Sequence, residues 1–578
     1  MDRTRPVLGA GPPELGRRAT RVWLFVIVVL AGILRLPELD HFPPGLHQDE
    51  AANAWNAWCL LKTGCDQVGV RWPIFYMREL GGYRTPMFAY VLLPFQALGG
   101  MNLWTSRLPA ALGGLATILL IYWVGARLFG RGTGLAAAAL LTLSPVHIQL
   151  SRYGNETSLT PLLALAPLAA WLWAGLPFTG RSSVKGLPLN GGERVPCPGR
   201  AVIAGLVTGI CCYGYAALRL FLPLYLTACV LVTCPAWLRL ARTRRGLGAL
   251  AGLLLALAAT LGPLAYKHIT EPHIIGKRAQ TTWIWSRDDP LAVRAAKVWD
   301  RYAEHFSPQF LFTSGDADEA VWAQPFGFLP RYMAPALLAG LAFAARRLRT
   351  SGAARVLLVG IPCYPIADAF NGHPSLHSAR TASGLCVLIL LAAFGVSACA
   401  ALLRARNLRT SLLAAAVALL AAIGSDQVRF LDAYFHTRAK KLPVYYETHQ
   451  DLLAACDWLR PRLADVDVVV CFPAGPSPGY TPWMIMPVWL QHDPQRWFAE
   501  PREVDSRGAW DRYLRYGKFY FLYEPERLAF LERLRTPGRP ERVVLLLRPG
   551  EKAPPQPPAY IVRDPNGDPA ILIYDCQM

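Results

Sequence analysis

Charged residues are few in this chain. Asp, Glu, Lys and Arg make up 17% of its 578 residues, and hydrophobic residues make up 53%. Soluble domains carry roughly a quarter charged residues, so this composition excludes an ordinary soluble enzyme. Together with the positive mean hydropathy of +0.26, it predicts a mainly α-helical, polytopic membrane protein.

Acidic residues are scarcer than basic ones, with 39 Asp and Glu against 59 Lys and Arg, which gives a net charge of +20. An excess of this size can indicate nucleic-acid binding. Here, however, the arginines fall in short clusters between apolar stretches, as signals for membrane topology do. We therefore expect the lipid bilayer, and not a nucleic acid, as the partner of this chain.

Two classes of motif are missing. No Gly-rich fingerprint joins a strand to a helix, so no nucleotide site is predicted, and no cysteine spacing resembles a structural zinc site. Cys59, Cys65, Cys456, Cys471 and Cys576 are expected outside the membrane, where disulfides can form. Cys59–Cys65 and Cys456–Cys471 are both possible disulfides, because connectivity cannot be read from sequence.

Eleven apolar stretches come close to the roughly 20 residues that a membrane-spanning helix needs. The first begins at Val22 after three arginines and is not followed by a small-residue cleavage site, so we expect it to be retained as a helix. The stretch Pro86–Gly100 is shorter and contains Pro94, which favours a helix along the membrane interface. The predicted spans lie at 22–39, 107–128, 133–150, 158–178, 201–217, 219–238, 247–266, 330–345, 355–370, 381–403 and 410–426.

The basic clusters fix the predicted orientation, because loops rich in Lys and Arg stay in the cytoplasm. With 86–100 outside the membrane, all of the later clusters fall on the cytoplasmic side. These clusters are Arg127/Arg131, Arg181/Lys185/Arg194/Arg200, Arg239/Arg242/Arg244/Arg245, Arg346/Arg347/Arg349/Arg355 and Arg404/Arg406/Arg409. The segments 40–106, 151–157 and 267–329, and all residues after about 427, then face outward from the plasma membrane.

The residues after 427 differ from the rest. Four segments are typical of short buried strands, and Glu447–Leu459 is typical of a helix. We therefore divide the chain into a cytoplasmic tail (1–21), a transmembrane region (22–427) and a small extracytoplasmic α/β domain (428–578). The predicted strands are Val466–Phe472, Phe519–Tyr523, Arg542–Leu547 and Ala570–Tyr574.

The pair Asp49-Glu50 follows the first predicted span. Carboxylates there are costly unless they face water, so the pair indicates chemistry at a membrane surface. With His47 and Gln48 before it, the pair could provide a general base, hold a divalent ion such as Mg²⁺ or Mn²⁺, or do both. The alternative is an ordinary helix start, because acidic residues are favoured in a first turn.

Other outer segments add cations. Arg84, after Tyr83, would lie at headgroup depth, where it could bind a phosphate with two hydrogen bonds or only anchor the chain. The loop 151–157 places Arg152 and Glu156 between two spans. Arg219 lies near the outer end of a later span.

The segment 368–380 gathers His373, His377 and Arg380 at one membrane boundary, where they could line a site or contact a lipid phosphate. Two histidines this close more often form a polar loop than a metal site.

From Pro43 to about Leu172, the chain resembles the N-terminal half of the GT-C superfamily of glycosyltransferases. These enzymes use polyprenyl-phosphate sugars and include protein O-mannosyltransferases and the lipid A aminoarabinose transferase. The resemblance implies a multi-span GT-C fold, with Asp49 as catalytic base or key carboxylate and Arg84 near the donor phosphate. It rests on Asp49-Glu50, Tyr83-Arg84-Thr85-Pro86, Arg107-Leu108-Pro109, Leu128-Phe129-Gly130-Arg131 and Ser144-Pro145 followed by Ser151-Arg152 and Glu156.

Topology and chemistry agree on the donor. Nucleotide sugars are cytoplasmic, whereas these carboxylates should face outward, so a sugar carried on a polyprenyl phosphate fits both constraints. We predict a hexosyl- or pentosyltransferase that inverts the anomeric centre and acts on an extracytoplasmic protein, lipid or cell-surface glycan. The predicted roles are catalysis for Asp49, Glu50 and Glu156, phosphate binding for Arg84, Arg152 and Arg380, and site lining for His47, Tyr83, Arg219, His373 and His377.

Two alternatives come from other classes. A transporter or flippase for lipid-linked sugars would bind cargo without chemistry, but it would be expected to place ionisable groups near the bilayer midplane and to show internal repeats. A non-catalytic membrane scaffold would keep its cellular role without Asp49.

Overall fold

A computed structural model of the protein describes residues 16–577, except 80–81, 179–195, 273, 275–282, 287, 317–324, 374, 478, 507–510 and 535–541. Of the predicted basic loop clusters, Arg181, Lys185 and Arg194 lie outside the described residues.

A helix lies in each of the eleven predicted spans. Up to Ala241, the helices are α1 (Arg17–Arg35), α2 (Gln48–Thr63), α3 (Met87–Gly99), α4 (Leu103–Phe129), α5 (Arg131–Thr142), α6 (Pro145–Leu150), α7 (Thr160–Ala174), α8 (Pro198–Cys211), α9 (Leu218–Val232) and α10 (Cys234–Ala241). The helices from there to Asp432 are α11 (Arg244–Thr270), α12 (Leu291–Glu304), α13 (Met333–Arg346), α14 (Gly352–Cys363), α15 (Ile366–Ala369), α16 (Ser378–Thr381), α17 (Leu385–Ala405) and α18 (Arg409–Asp432).

Among the described residues, five helical stretches are long and apolar enough to cross a membrane, and the bent pair α9 and α10 would make a sixth. The predicted count of eleven spans is therefore not confirmed. The difference arises partly because α8 and α13 have 14 residues each, fewer than the roughly 20 that a span requires. The five stretches are Leu103–Phe129, Glu156–Ala174, Arg244–Thr270, Ser378–Ala405 and Arg409–Lys440.

The helix predicted for the interface is present as α3, with Pro94 inside it. Its position along a membrane surface stays a prediction. Close packing between α4 and α5 depends on small residues, because a Cβ on Gly134 would lie 2.5 Å from the carbonyl oxygen of Tyr122. Glycine at such a contact lets two helix backbones approach each other.

Before α3, strands β1 (Met77–Glu79) and β2 (Gly82–Arg84) pair antiparallel. The residues after Asp432 form a seven-stranded sheet with helices around it. The strands are β3 (Val468–Cys471), β4 (Arg502–Asp505), β5 (Arg512–Tyr516), β6 (Phe519–Phe521), β7 (Arg542–Leu547), β8 (Tyr560–Arg563) and β9 (Pro569–Gln577). The helices are α19 (Leu442–Glu447), α20 (Gln450–Leu459), α21 (Pro482–Trp489), α22 (Pro494–Ala499) and α23 (Glu524–Leu534). We call residues 442–577 the C-terminal unit.

The strand order is β4-β5-β6-β3-β7-β9-β8, and β3 runs parallel to both β6 and β7. Strands occur at all four predicted segments, whereas β4, β5 and β8 were not predicted. The two edge strands β4 and β8 are short and contain charged residues, which is typical of sheet edges and weakens the hydrophobic pattern.

Helices α21 and α22 lie against α2, and one face of the sheet belongs to the same hydrophobic core. Ala51 and Trp55 of α2 belong to the same buried cluster as Leu452 of α20, Trp483 of α21 and Ile573 of β9. The domain boundary at 427/428 stays a prediction, but a single hydrophobic core crosses it. All thirteen cysteines are free thiols, so neither of the two candidate disulfides, Cys59–Cys65 and Cys456–Cys471, is formed.

Candidate active site

Asp49 lies in the first turn of α2. His47 caps this helix, because its Nδ1 accepts the N–H of Asp49 at 3.1 Å. The side chain of Glu50 accepts the N–H of His47 at 3.4 Å, which completes a reciprocal cap. The sequence therefore folds locally so that the Asp49 carboxylate is fixed at the positive end of a helix.

Glu50 is fully engaged in a buried ion pair. Its two oxygens accept from Nε and Nη2 of Arg107 at 2.8 and 2.9 Å, and the N–H of Gly154 donates to it at 2.8 Å. Arg107 also donates to the carbonyls of Leu39, Pro43 and Gly45. This pair holds the loop before α2 against α4, and the catalytic role expected for Glu50 stays a prediction.

Arg84 is surrounded by three carboxylates. It forms an ion pair with Asp49, and it lies 3.3 Å from Glu79 Oε2 and 3.4 Å from Glu156 Oε1. The exposed fraction of the side chain is 24% for Asp49, 7% for Glu156 and zero for Glu79. Asp49 is thus the carboxylate in this group that solvent or a substrate can reach most readily.

Glu79 was missed by the sequence reasoning. A short hairpin of Met77–Glu79 and Gly82–Arg84 pairs Glu79 with Gly82 and Met77 with Arg84, so Glu79 and Arg84 are diagonal neighbours on one face. The signal available in the sequence was Gly81-Gly82, a common hairpin turn.

Burial raises the pKa of Glu79 to about 8. Arg84 opposes this shift, while Glu156 and Asp49 reinforce it. At neutral pH Glu79 is therefore mostly protonated. For Arg84 itself, burial alone would lower the pKa, but the adjacent carboxylates hold it well above its ordinary value.

Arg152 lies away from this cluster. Its Nη2 donates to the carbonyls of Pro37, Glu38 and Phe42 at 2.7, 3.2 and 3.1 Å, and its guanidinium lies 5.2 Å from the centre of the Phe435 ring. The buried guanidinium thus holds the chain that leaves α1. The phosphate-binding role expected for Arg152 from the sequence stays a prediction.

Arg380 belongs to a second cluster around Asp368. The carboxylate of Asp368 is fully buried and lies 3.1 Å from Arg301 Nη2, 3.2 Å from His305 Nε2 and 3.4 Å from Arg380 Nη1. Arg380 keeps 22% of its side chain exposed. Its short helix α16 packs against the turn Glu156–Leu159, so the second cluster borders the first.

The two predicted histidines follow Asp368. The rings of His373 and His377 are 5.7 Å apart in an edge-to-face arrangement, and His373 Nδ1 lies 3.1 Å from Ser375 Oγ. Burial lowers the pKa of His377 to about 3. Over the part of the chain that the structure describes, no group of three or more His, Cys, Asp or Glu residues is arranged to hold a metal ion. The carboxylates near Asp49 are paired with arginines.

Tyr83 and Arg219 lie on the other side of the hairpin, around Tyr76. Arg219 Nη1 donates to the Tyr76 hydroxyl at 3.1 Å, and the same hydroxyl lies 2.7 Å from His268 Nε2. The rings of Tyr76 and Tyr83 meet edge to face at 6.3 Å. His47, the remaining predicted lining residue, contacts Glu447 of the C-terminal unit, with Nε2 3.3 Å from Oε1.

Comparison with known proteins agrees with this architecture. The sequence model of the dolichyl-phosphate-mannose-protein mannosyltransferase family matches residues 83–181, a segment that includes Arg84 and Glu156. The apo crystal structure of ArnT from Cupriavidus metallidurans superposes with a TM-score of 0.52 at 15% identity, covering 96% of this chain and 98% of that one. This chain has a GT-C-like fold.

The structure of the same ArnT bound to undecaprenyl phosphate matches this GT-C-like chain over the same shares, with a TM-score of 0.51 and 15% identity. The oligosaccharyltransferase of Archaeoglobus fulgidus gives a TM-score of 0.43 at 14% identity, over 82% of this chain and 64% of that one. The comparison with curated proteins finds no match. The predicted resemblance to GT-C glycosyltransferases is confirmed.

Proposed function

We propose that this protein is a membrane glycosyltransferase that transfers a sugar from a polyprenyl-phosphate donor to an acceptor outside the cytoplasm. The observation that carries the proposal is the Asp49–Arg84 pair. It places one accessible carboxylate, held by a buried guanidinium, beside two carboxylates that are almost inaccessible. The likeness to ArnT supports a donor of this class, because one of its structures contains undecaprenyl phosphate.

In the reaction, Asp49 accepts the proton of an acceptor hydroxyl while the hydroxyl oxygen attacks the anomeric carbon of the sugar. The bond from that carbon to the phosphate oxygen breaks, and polyprenyl phosphate leaves with the bonding electrons. Attack opposite to the leaving group inverts the anomeric centre. Arg84 orients the Asp49 carboxylate through their ion pair, as a general base requires.

Glu156 is assigned to orientation of the acceptor. Asn53 Nδ2 donates to its Oε2 at 3.2 Å, while Arg84 lies beside its Oε1. These two contacts fix the orientation of the Glu156 carboxylate beside Asp49. Glu50, which is saturated by Arg107 and Gly154, takes no part in the chemistry.

The donor phosphate is assigned to the space between Arg84 and Arg380. Arg380 has one ion-pair contact, at 3.4 Å, and an exposed edge, so it can turn toward an anion. Charge develops on the phosphate as the sugar leaves, and two guanidinium groups in a partly dehydrated site stabilise that charge. Arg219, Tyr83 and His268 would line the approach of the sugar.

The proposed orientation follows from the basic loops. Asp49, Arg84 and the C-terminal unit face outward from the plasma membrane, and the arginine clusters between later helices face the cytoplasm. The acceptor is a protein, a lipid or a cell-surface glycan, and the sugar is a hexose or a pentose. The fold is compatible with all of these substrates, because related folds carry different substrates.

The test uses purified protein in lipid with a panel of radiolabelled polyprenyl-phosphate hexoses and pentoses. Wild type is expected to release sugar from at least one donor, and Asp49→Asn to lose release while binding the lipid. Asp40→Asn is the matched control, because Asp40 is an exposed acid in the loop before α2. Binding without release by all three proteins, together with movement of labelled lipid across a liposome bilayer, would instead indicate a flippase.

A further inference from the structure

A short segment of the C-terminal unit lies against the residues just before the candidate base. Leu46 donates its N–H to the carbonyl of Thr448 at 2.8 Å, and its own carbonyl accepts from His449 Nδ1 at 3.0 Å. Gly45 has a φ of +69°, and a Cβ at this position would lie 2.2 Å from the Thr448 carbonyl oxygen. The two residues before the His47 cap are therefore pinned to the C-terminal unit by backbone contacts that require a glycine.

His449 is fixed on both sides. Its Nδ1 donates to Leu46, and its Nε2 accepts the N–H of Thr481 at 2.9 Å. Burial lowers the pKa of His449 to about 3, so the ring is neutral and has a single tautomer. The segment 447–449 is thus a rigid support for whatever it contacts in the α2 cap.

Glu447 makes the contact with that cap. Its side chain is 12% exposed, and its Oε1 lies 3.3 Å from Nε2 of His47, which is 8% exposed. The same His47 ring accepts the Asp49 N–H at Nδ1, and this nitrogen lies 4.0 Å from the Asp49 carboxylate. Which ring nitrogen carries the proton is set by the hydrogen bond that the other nitrogen makes.

We infer that Glu447 is a positioning residue for the proposed transfer reaction, acting on Asp49 through His47. By accepting the Nε2 proton, Glu447 selects the tautomer in which the Nδ1 lone pair faces the Asp49 amide. The imidazole then holds the first turn of α2, and with it the carboxylate that Arg84 grips from the other side. The inference rests on the proposed function.

Two features support a role beyond general packing. The contact joins residues 400 positions apart (447 − 47), between an element of the transmembrane region and one of the C-terminal unit. The contact also stabilises the charged form of Glu447. Burial alone would raise the pKa of Glu447, but the hydrogen bond from His47 lowers it, so the carboxylate remains a charged acceptor.

The experiment compares Glu447→Ala and Glu447→Gln in the full-length protein in lipid, with His47→Asn as a second background. Alanine removes the acceptor of the Nε2 proton, so kcat is expected to fall about tenfold or more, because small displacements of a catalytic group are costly. The KM for the donor should change by less than about twofold. Glutamine keeps an accepting oxygen, so Glu447→Gln should recover most of kcat.

The double variant tests whether Glu447 acts through His47. The Asn side chain can still cap the Asp49 amide, but it is too short to reach Glu447. If Glu447 acts through His47, Glu447→Ala should cause no further loss of kcat in the His47→Asn background. An equal loss in both backgrounds, or wild-type kcat in Glu447→Ala, would overturn the inference.

A matched control separates positioning from loosening of the C-terminal unit. Glu551 pairs with the buried Arg527 within that unit, and Glu551→Ala is expected to lower the melting temperature without lowering kcat. A loss of kcat there as large as in Glu447→Ala would also overturn the inference.

Amide hydrogen exchange at residues 46–53 gives a readout that does not need activity, since Glu447→Ala should speed exchange in this segment if the cap depends on Glu447. Unchanged exchange would contradict the inference. Absence of turnover in the wild type would instead count against the proposed function.

Discussion

Glu50 and Arg107 meet in two parallel N–H···O contacts of 2.8 and 2.9 Å, and both side chains are shielded from water. Arg107 lies near the start of α4, and its other N–H groups hold the loop that leads into α2. Adjacent acidic residues, Asp49 and Glu50, therefore have different environments. The Asp49 side chain is partly exposed to solvent, and the Glu50 side chain is paired with Arg107 in the interior.

Glu50→Gln should destabilise the protein strongly, because it leaves the Arg107 guanidinium buried with no carboxylate. Breaking a buried ion pair in this way costs about 3–5 kcal/mol. Thermal unfolding in detergent would measure the loss. Asp457→Asn is the control, since Asp457 and Arg460 form an exposed pair of a kind worth about 1 kcal/mol or less. Similar losses in the two variants would contradict the structural role of Glu50.

Arg152→Lys and Arg380→Lys should have different effects. Lysine cannot reproduce the planar fork that lets Arg152 hold several carbonyls, so Arg152→Lys should lower the melting temperature and leave the donor KM of the folded protein unchanged. Arg380→Lys should raise the donor KM about tenfold with little change in melting temperature, as expected for the loss of one charge-assisted hydrogen bond to phosphate. The opposite pattern would return Arg152 to the phosphate site.

Glu79 should make stability depend on pH. Its pKa rises from an ordinary value of 4.5 to about 8 on burial, so the folded state holds a proton that the unfolded state releases. Its stabilising contribution is complete below pH 4.5 and is lost as the pH rises through 8. The melting temperature of wild type should fall across this window more steeply than that of Glu79→Gln. Parallel curves would rule out Glu79 as the source.

Asp368→Asn should loosen the packing of α12 against the segment that begins at Asp368. Of the residues in this helix, Arg301 is the buried one, and it donates to Asp368 and to the carbonyls of His373 and Ser375. Hydrogen exchange across residues 291–304 should therefore become faster in the variant. Asp289→Asn is the control, because Asp289 pairs with Lys297 at the exposed side of the same helix. Faster exchange in both variants alike would mean that the helix is held elsewhere.

The grouping of Asp49, Arg84 and Glu156 could be predicted from the sequence because ionisable groups at the ends of apolar helices have few reasons to be there other than function. The roles of the individual arginines could not be predicted from the sequence. Arg84 and Arg152 occupy similar sequence contexts, but carboxylates surround the first and backbone carbonyls more than a hundred positions away surround the second. Hydropathy carries no information about such long-range partners.

The apolar helices were predictable from composition, but the number of membrane crossings was not, since hydropathy does not distinguish a helix that spans from one that is short and buried among others. The sheet was predicted where its strands are apolar and missed where they are charged. No sequence pattern indicated a functional role for Glu447. It was assigned to the first residues of a soluble helix, because its partner His47 is encoded near the other end of the chain.

The shared core of α2 and the sheet has a consequence for synthesis. Strand β9 contributes Ile571 and Ile573 to the cluster that covers Ala51 and Trp55. The helix carrying Asp49 is thus made about five hundred residues before the strand that completes this core. A nascent chain interrupted before Pro569 would already contain Asp49 and Arg84 but would lack the last strand of the core that includes α2. The final packing of the segment around Asp49 would then wait until the ribosome has passed that point.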